Sequence, residues 1–168
     1  LFTYNELIPN EDDTRAHQQI ITTVTVNSQG TRMVTAGRDG YAVVWDLETD
    51  LAVGQIVSDE QVIWSVDFSP SGNRVVLGSE QGGVLIWDIA ENRTVERFVL
   101  GRTTVFTVAY ALDGNTIVSG QGDASVVIWH IYNTDELVQW VQENRYLRGW
   151  QCLEIGQYRL PANTICGT

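Results

Sequence analysis

Few residues have both the type and the spacing to do chemistry. His17 with Asp39 and Thr35 offers the parts of a hydrolytic triad. Cys152 and Cys166 are the two thiols, both in the last seventeen residues, and His17 and His130 are the two histidines. No C-x-x-C occurs and the histidines lie far from the cysteines, so no four-ligand zinc cluster is offered. Two readings of the thiols stay open: free buried groups, as in a cytosolic protein, or a Cys152–Cys166 disulfide closing a short terminal loop, as in an oxidising compartment. Glu6, Glu11, Asp12 and Asp13 read as a solvated acidic loop; a calcium loop is the sharper alternative, but the alternating oxygens it needs are missing. There is no G-x-S-x-G, H-E-x-x-H or dinucleotide fingerprint, and a P-loop is impossible because the chain contains no lysine. No catalytic residue, cofactor or metal is therefore expected.

The elements that would hold these residues are soluble and globular in composition. The 168 residues are 43% hydrophobic and 18% charged, enough for one domain with a substantial core. A net charge of −11 disfavours a phosphate backbone or an anionic membrane surface as partner, and makes a basic protein or peptide the natural one. No apolar run approaches the ~18 residues that span a bilayer. The chain opens on Leu1, so it is expected to be a processed chain or part of a longer one.

The strongest signal is an internal repeat. Trp45, Trp87 and Trp129 close the apolar runs VVWDL, LIWDI and VIWHI at intervals of 42 residues, and Gly30, Gly72 and Gly114 repeat at the same interval. Each glycine follows a polar turn (NSQG, SPSG, ALDG), and alternating strands lie before and after it. Such a period with several short strands per unit is that of a β-propeller blade, a four-stranded antiparallel sheet. The corner glycines supply the positive φ of tight hairpins.

These residues resemble the tryptophan–aspartate (WD) repeat family across about 16–133, most specifically in Val66-Asp-Phe-Ser-Pro-Ser-Gly72 and in Trp-Asp at 45–46 and 87–88. The resemblance implies an all-β fold of three four-stranded antiparallel blades. It also implies a hydrogen-bonded tetrad in each blade. Unit one carries all of it as His17, Thr35, Asp39 and Trp45. Unit three keeps Ser119, Asp123 and Trp129 but has Gly101 in place of the histidine; unit two keeps Trp87 alone. In that setting His17, Thr35 and Asp39 are a buried hydrogen-bond chain rather than a triad, and Asp46 and Asp88 are turn formers rather than metal ligands.

Three units are fewer than the four to eight blades of a closed propeller. Two apolar blade faces are expected to lie open, to be closed by further blades or by copies of the chain. Outer strands are expected at 51–57 and 94–99, with none after Trp129, where the sequence changes character. Residues 1–15 read as a strand or acidic loop. Residues 134–168 read as a short helical tail, with a capping box at 133–136 and Leu137, Val138, Trp140 and Val141 at helical spacing. The tail resembles the terminal segment of bacterial WD-repeat proteins.

The leading expectation is a noncatalytic protein-interaction scaffold. By the resemblance, the face carrying the corners between the second and third strands binds peptides or proteins. There it would include Arg38, Glu80 and Gln121, with Trp64 and Phe106 as anchors at equivalent positions and Thr22 as the third. Packing between blades is the alternative for the two aromatics, more so for Phe106. A sensor module attached to an upstream catalytic domain is the second reading, and a propeller enzyme the least favoured.

Overall fold

The computed structural model describes residues 16–58, 62–99, 101, 103–131 and 138. The N-terminal strand or loop of 1–15, Asp59 and both cysteines lie outside the described residues. So does the helical tail, apart from Val138, which is helical. The chain divides into two units, Leu1–His130 and Ile131–Thr168, and every strand below belongs to the first.

The fold is all-β, built from antiparallel sheets that repeat at the interval of the sequence. The first sheet runs in the order β1 (Ile21–Val26), β2 (Arg32–Gly37), β3 (Tyr41–Asp46) and β4 (Leu51–Val57). The second follows as β5 (Ile63–Phe68), β6 (Arg74–Ser79), β7 (Gly83–Asp88) and β8 (Arg93–Val99). The third holds β9 (Val105–Tyr110), β10 (Thr116–Gln121) and β11 (Val126–His130). Among the described residues the third sheet has three strands, in the order β11-β10-β9.

Burial explains the strand sequences. β6 is buried from Val75 to Ser79 and β7 from Gly83 to Trp87, because sheets cover both faces of the middle blade. Such strands read as continuous apolar runs. The outer strand β4 alternates instead, with a wet face. β1 and β2 pack on β5, and β5 and β6 pack on β9, so the sheets stack in chain order. Val34, Val44 and Ile56 of the first sheet meet Val66, Phe68, Leu77, Leu85 and Trp87 of the second in one core. The glycines of the β1–β2, β5–β6 and β9–β10 turns have φ of 71°, 72° and 72°, the left-handed conformation expected of them.

Apolar residues at both ends of the described stack are exposed. Val24 and Val26 of β1 are 59% and 48% exposed, while their repeat equivalents Val66 and Phe68 are buried against the first sheet. Val126 and Ile128 of β11 are 69% and 59% exposed, while their equivalents Val84 and Ile86 are fully buried.

Candidate functional site

Each inner strand carries one residue too many at the same place. Pairing of β1 with β2 passes from Ile21↔Gly37 to Thr23↔Ala36, leaving Thr22 without a partner residue. Pairing of β5 with β6 passes from Ile63↔Ser79 to Ser65↔Gly78, leaving Trp64. Pairing of β9 with β10 passes from Thr107↔Gly120 to Val105↔Gln121, leaving Phe106. An extra residue of this kind is a β-bulge; it breaks the in–out alternation and re-aims its side chain. The three bulges bring Thr22, Trp64 and Phe106 out at one end of successive blades, beside the corners that carry Arg38 and Glu80.

There they touch. The Trp64 and Phe106 rings meet edge to face with centroids 5.6 Å apart. The Arg38 guanidinium carbon lies 5.5 Å from the centroid of the Trp64 ring, a cation–π contact made from the first blade onto the second. Phe106 is 53% exposed and Trp64 half-buried, so Phe106, the aromatic expected to favour blade packing, is the more open of the two. Its ring rests on Gly122, where an added Cβ would lie 3.2 Å from Phe106 Cε2. The Trp64 indole N–H is buried with no acceptor among the described residues. Thr22 Oγ1, with one proton to give, lies within hydrogen-bond distance of both the Ala36 and the Ile63 carbonyl, the latter joining first sheet to second.

The structure treats the two other residues expected here differently. Glu80 is exposed at the β6–β7 corner; its carbonyl accepts from Thr104 Oγ1 at 3.0 Å, which ties that corner to the third blade. Gln121 is buried and its side-chain amide nitrogen has no acceptor among the described residues, so its side chain does not reach the exposed stripe. It ends β10 on the covered side of the bulge, and its backbone N–H donates to the Ser125 carbonyl to shape the corner. Sequence spacing paired Trp64 and Phe106 as equivalent positions; the bulges at which both sit are facts of register and left no separate mark in residue type.

His17, Thr35, Asp39 and Trp45 form a chain across the first blade. Trp45 Nε1–H donates to Thr35 Oγ1 at 3.0 Å, and Thr35 Oγ1 lies 2.8 Å from His17 Nε2. His17 Nδ1 lies 3.1 Å from Asp39 Oδ2, and Asp39 also accepts from the Gln18 and Tyr41 N–H groups. The donors are satisfied in sequence if Thr35 donates to His17 Nε2 and His17 Nδ1–H donates to Asp39. His17 and Thr35 are 5% and 6% exposed, and the hydroxyl is engaged on both sides. A triad nucleophile must reach a substrate; this one is closed off. In the third blade Trp129 Nε1–H donates to Ser119 Oγ at 2.8 Å, while Asp123 accepts from the Ser125 N–H instead.

The remaining carboxylates act locally. Asp46 accepts from the Glu48 and Thr49 N–H groups, and Asp88 from those of Ala90 and Glu91. Those donors, Thr49 first for Asp46 and Glu91 first for Asp88, hold both groups below the usual carboxylate range. Asp113 is lowered by the Thr116 hydroxyl and then the Asn115 N–H, and Asp123 by Ser125. Burial, reinforced by Asp67, pushes the Tyr110 hydroxyl up to about 12 against the opposing pull of Arg74. Among the described residues no group of three or more His, Cys, Asp or Glu could hold a metal ion, and no helix is long and apolar enough to cross a membrane.

Stacked antiparallel blades in a 42-residue repeat, with tryptophan-anchored third strands, define a β-propeller repeat protein. The family model described as WD domain, G-beta repeat matches residues 12–46, 53–88 and 95–130, and the chain belongs to that family. The second and third matches run from the outer strands β4 and β8 to the third strand of the following blade, and the first ends at the close of β3. Among curated proteins none matches the chain.

Proposed function

We propose that this protein is a noncatalytic scaffold that binds a protein or peptide along the stripe of Arg38, Trp64 and Phe106. The observation that carries this reading is the repeated bulge: three blades spend a register irregularity at one position, and two of them place an aromatic there. Aromatics and arginine are the side chains that dominate interface energies. The net charge of −11 steers a partner of basic overall surface. The uncovered faces of β1 and β11 are a separate surface, suited to further blades or a second copy.

Panning a randomised heptapeptide library on the protein tests the reading. Peptides that bind the native chain and are lost on Phe106→Ser or Arg38→Gln, with the melting transition of each variant preserved, are the expected outcome. Failure of any peptide to enrich, or retention by both variants, would overturn it.

A further inference from the structure

We infer that the stripe receives a carboxylate side chain carried next to an apolar one, an Asp or Glu beside an aromatic or aliphatic residue in a partner segment. The inference rests on the interaction reading above and specifies the chemistry of its central contact.

The unmet groups of the stripe are donors. Arg38 is exposed, and among the described residues no carboxylate lies within ion-pairing distance of it, although the chain carries 21 acidic residues against 10 basic ones. A guanidinium presents five N–H groups in a planar fork that matches a carboxylate. The Trp64 indole N–H also lacks an acceptor among the described residues, but it is buried, so Arg38 is the donor a partner meets first. The neighbouring corner aspartates do not compete: Asp39 is taken by His17 and two backbone N–H groups, and Asp123 by Ser125.

The same geometry excludes the opposite occupant. An aromatic face commonly receives a cation, but Arg38 already sits over one face of Trp64. A partner's lysine or arginine would have to displace that guanidinium and remain beside it, like charge against like. Phe106, half out of the surface next to Trp64, supplies the apolar contact adjoining the charged one. Contact at this point therefore runs against the sign of the whole chain, whatever the charge of the rest of the partner. At physiological salt the Debye length is about 8 Å, so the near guanidinium outweighs distant carboxylates.

The test titrates the protein with three capped peptides, acetyl-Gly-Glu-Phe-Gly-amide and its Gln and Lys counterparts. Binding is read from the Trp64 indole N–H resonance, assigned with Trp64→Phe. The Glu peptide is expected to bind about five-fold more tightly than the Gln peptide, and the Lys peptide most weakly. In Arg38→Gln, an exposed substitution, the Glu preference should collapse to within about two-fold, and raising the salt should narrow it in the native chain. Equal or tighter binding of the Lys peptide, a Glu preference that survives Arg38→Gln, or a Trp64 signal that no peptide moves would overturn the inference. A library pool that depends on Phe106 but shows no acidic preference would overturn it while leaving the interaction reading standing.

Discussion

Trp87 of β7 lies against the bare Cα of Gly54 on β4 of the preceding blade: a Cβ added at Gly54 would come within 2.6 Å of Trp87 Cη2. The tryptophan that marks the second repeat thus packs on the blade before it. Trp129 does the same in the third sheet, stacking on Phe98 of β8 at 5.2 Å. Gly54→Ala should force the buried Trp87 ring from its seat and cost about 1–3 kcal/mol. The measurement is the urea midpoint. A cost below about 0.5 kcal/mol would mean that β4 moves away freely and that this contact does not set the blade spacing.

Thr35 is the shared link between His17 Nε2 and Trp45 Nε1. Thr35→Val keeps the shape and leaves two buried polar groups without partners, at an expected cost of about 3 kcal/mol. Ser119→Ala orphans only the Trp129 indole, which is half-buried, and should cost about 1 kcal/mol. Urea unfolding of the two variants side by side checks the order. Equal losses would show that the fuller chain of the first blade adds nothing.

Ala124 occupies the corner position held by Gly40 and Gly82 in the other blades. All three have positive φ, 67° at Ala124 against 77° and 86°. An L-residue in this conformation is strained by about 1 kcal/mol or more. Ala124→Gly should therefore stabilise the protein by up to about 1 kcal/mol, the relief being partly offset by greater freedom of the unfolded chain. Gly40→Ala should destabilise by a similar amount. Thermal melts of the two variants are expected to move in opposite directions.

Asp46, Asp88, Asp113 and Asp123 all have folded-state pKa values below the ordinary carboxylate value. A depressed folded value means that the unfolded chain binds protons first as pH falls. The stability these groups contribute is full above the unfolded value of about 4 and is lost as pH drops below it through the folded values. Urea midpoints should be flat from pH 7 to about 5 and then fall. Asp46→Asn keeps an acceptor oxygen for the turn but removes one titration, so its acid loss should be shallower. An unchanged profile in that variant would remove Asp46 from the account.

Much of this architecture was legible because residue type and backbone geometry coincide at 42-residue intervals. Gly30, Gly72 and Gly114 mark turns that need positive φ, and Trp45, Trp87 and Trp129 mark third strands, the last two with rings that reach the blade before. What escaped depends on register or on neighbours. No residue type announces a bulge, so the spacing that paired Trp64 with Phe106 could not say that Phe106 would be the more exposed. Gln121 is polar and next to a glycine corner, a pattern that suits the surface, yet the face of β10 on which it ends is covered. Ala124 hides a left-handed corner because the requirement belongs to the hairpin rather than to alanine.

Ile86 and Ile128 are equivalent residues with opposite surroundings: Ile86 is 1% exposed between the second and third sheets, and Ile128 is 59% exposed on the outer face of β11. Ile86→Glu buries an unpaired charge and should unfold the protein, at a cost of about 4 kcal/mol or more. Ile128→Glu should leave the stability of an isolated chain within about 0.5 kcal/mol. Light scattering at two concentrations supplies the second reading. If a second copy docks on this face, Ile128→Glu should bring a larger particle back to the mass of one chain. A native chain already at that mass would leave the face to further blades. An unfolding cost at Ile128 as large as that at Ile86 would show instead that the face is covered within the chain itself.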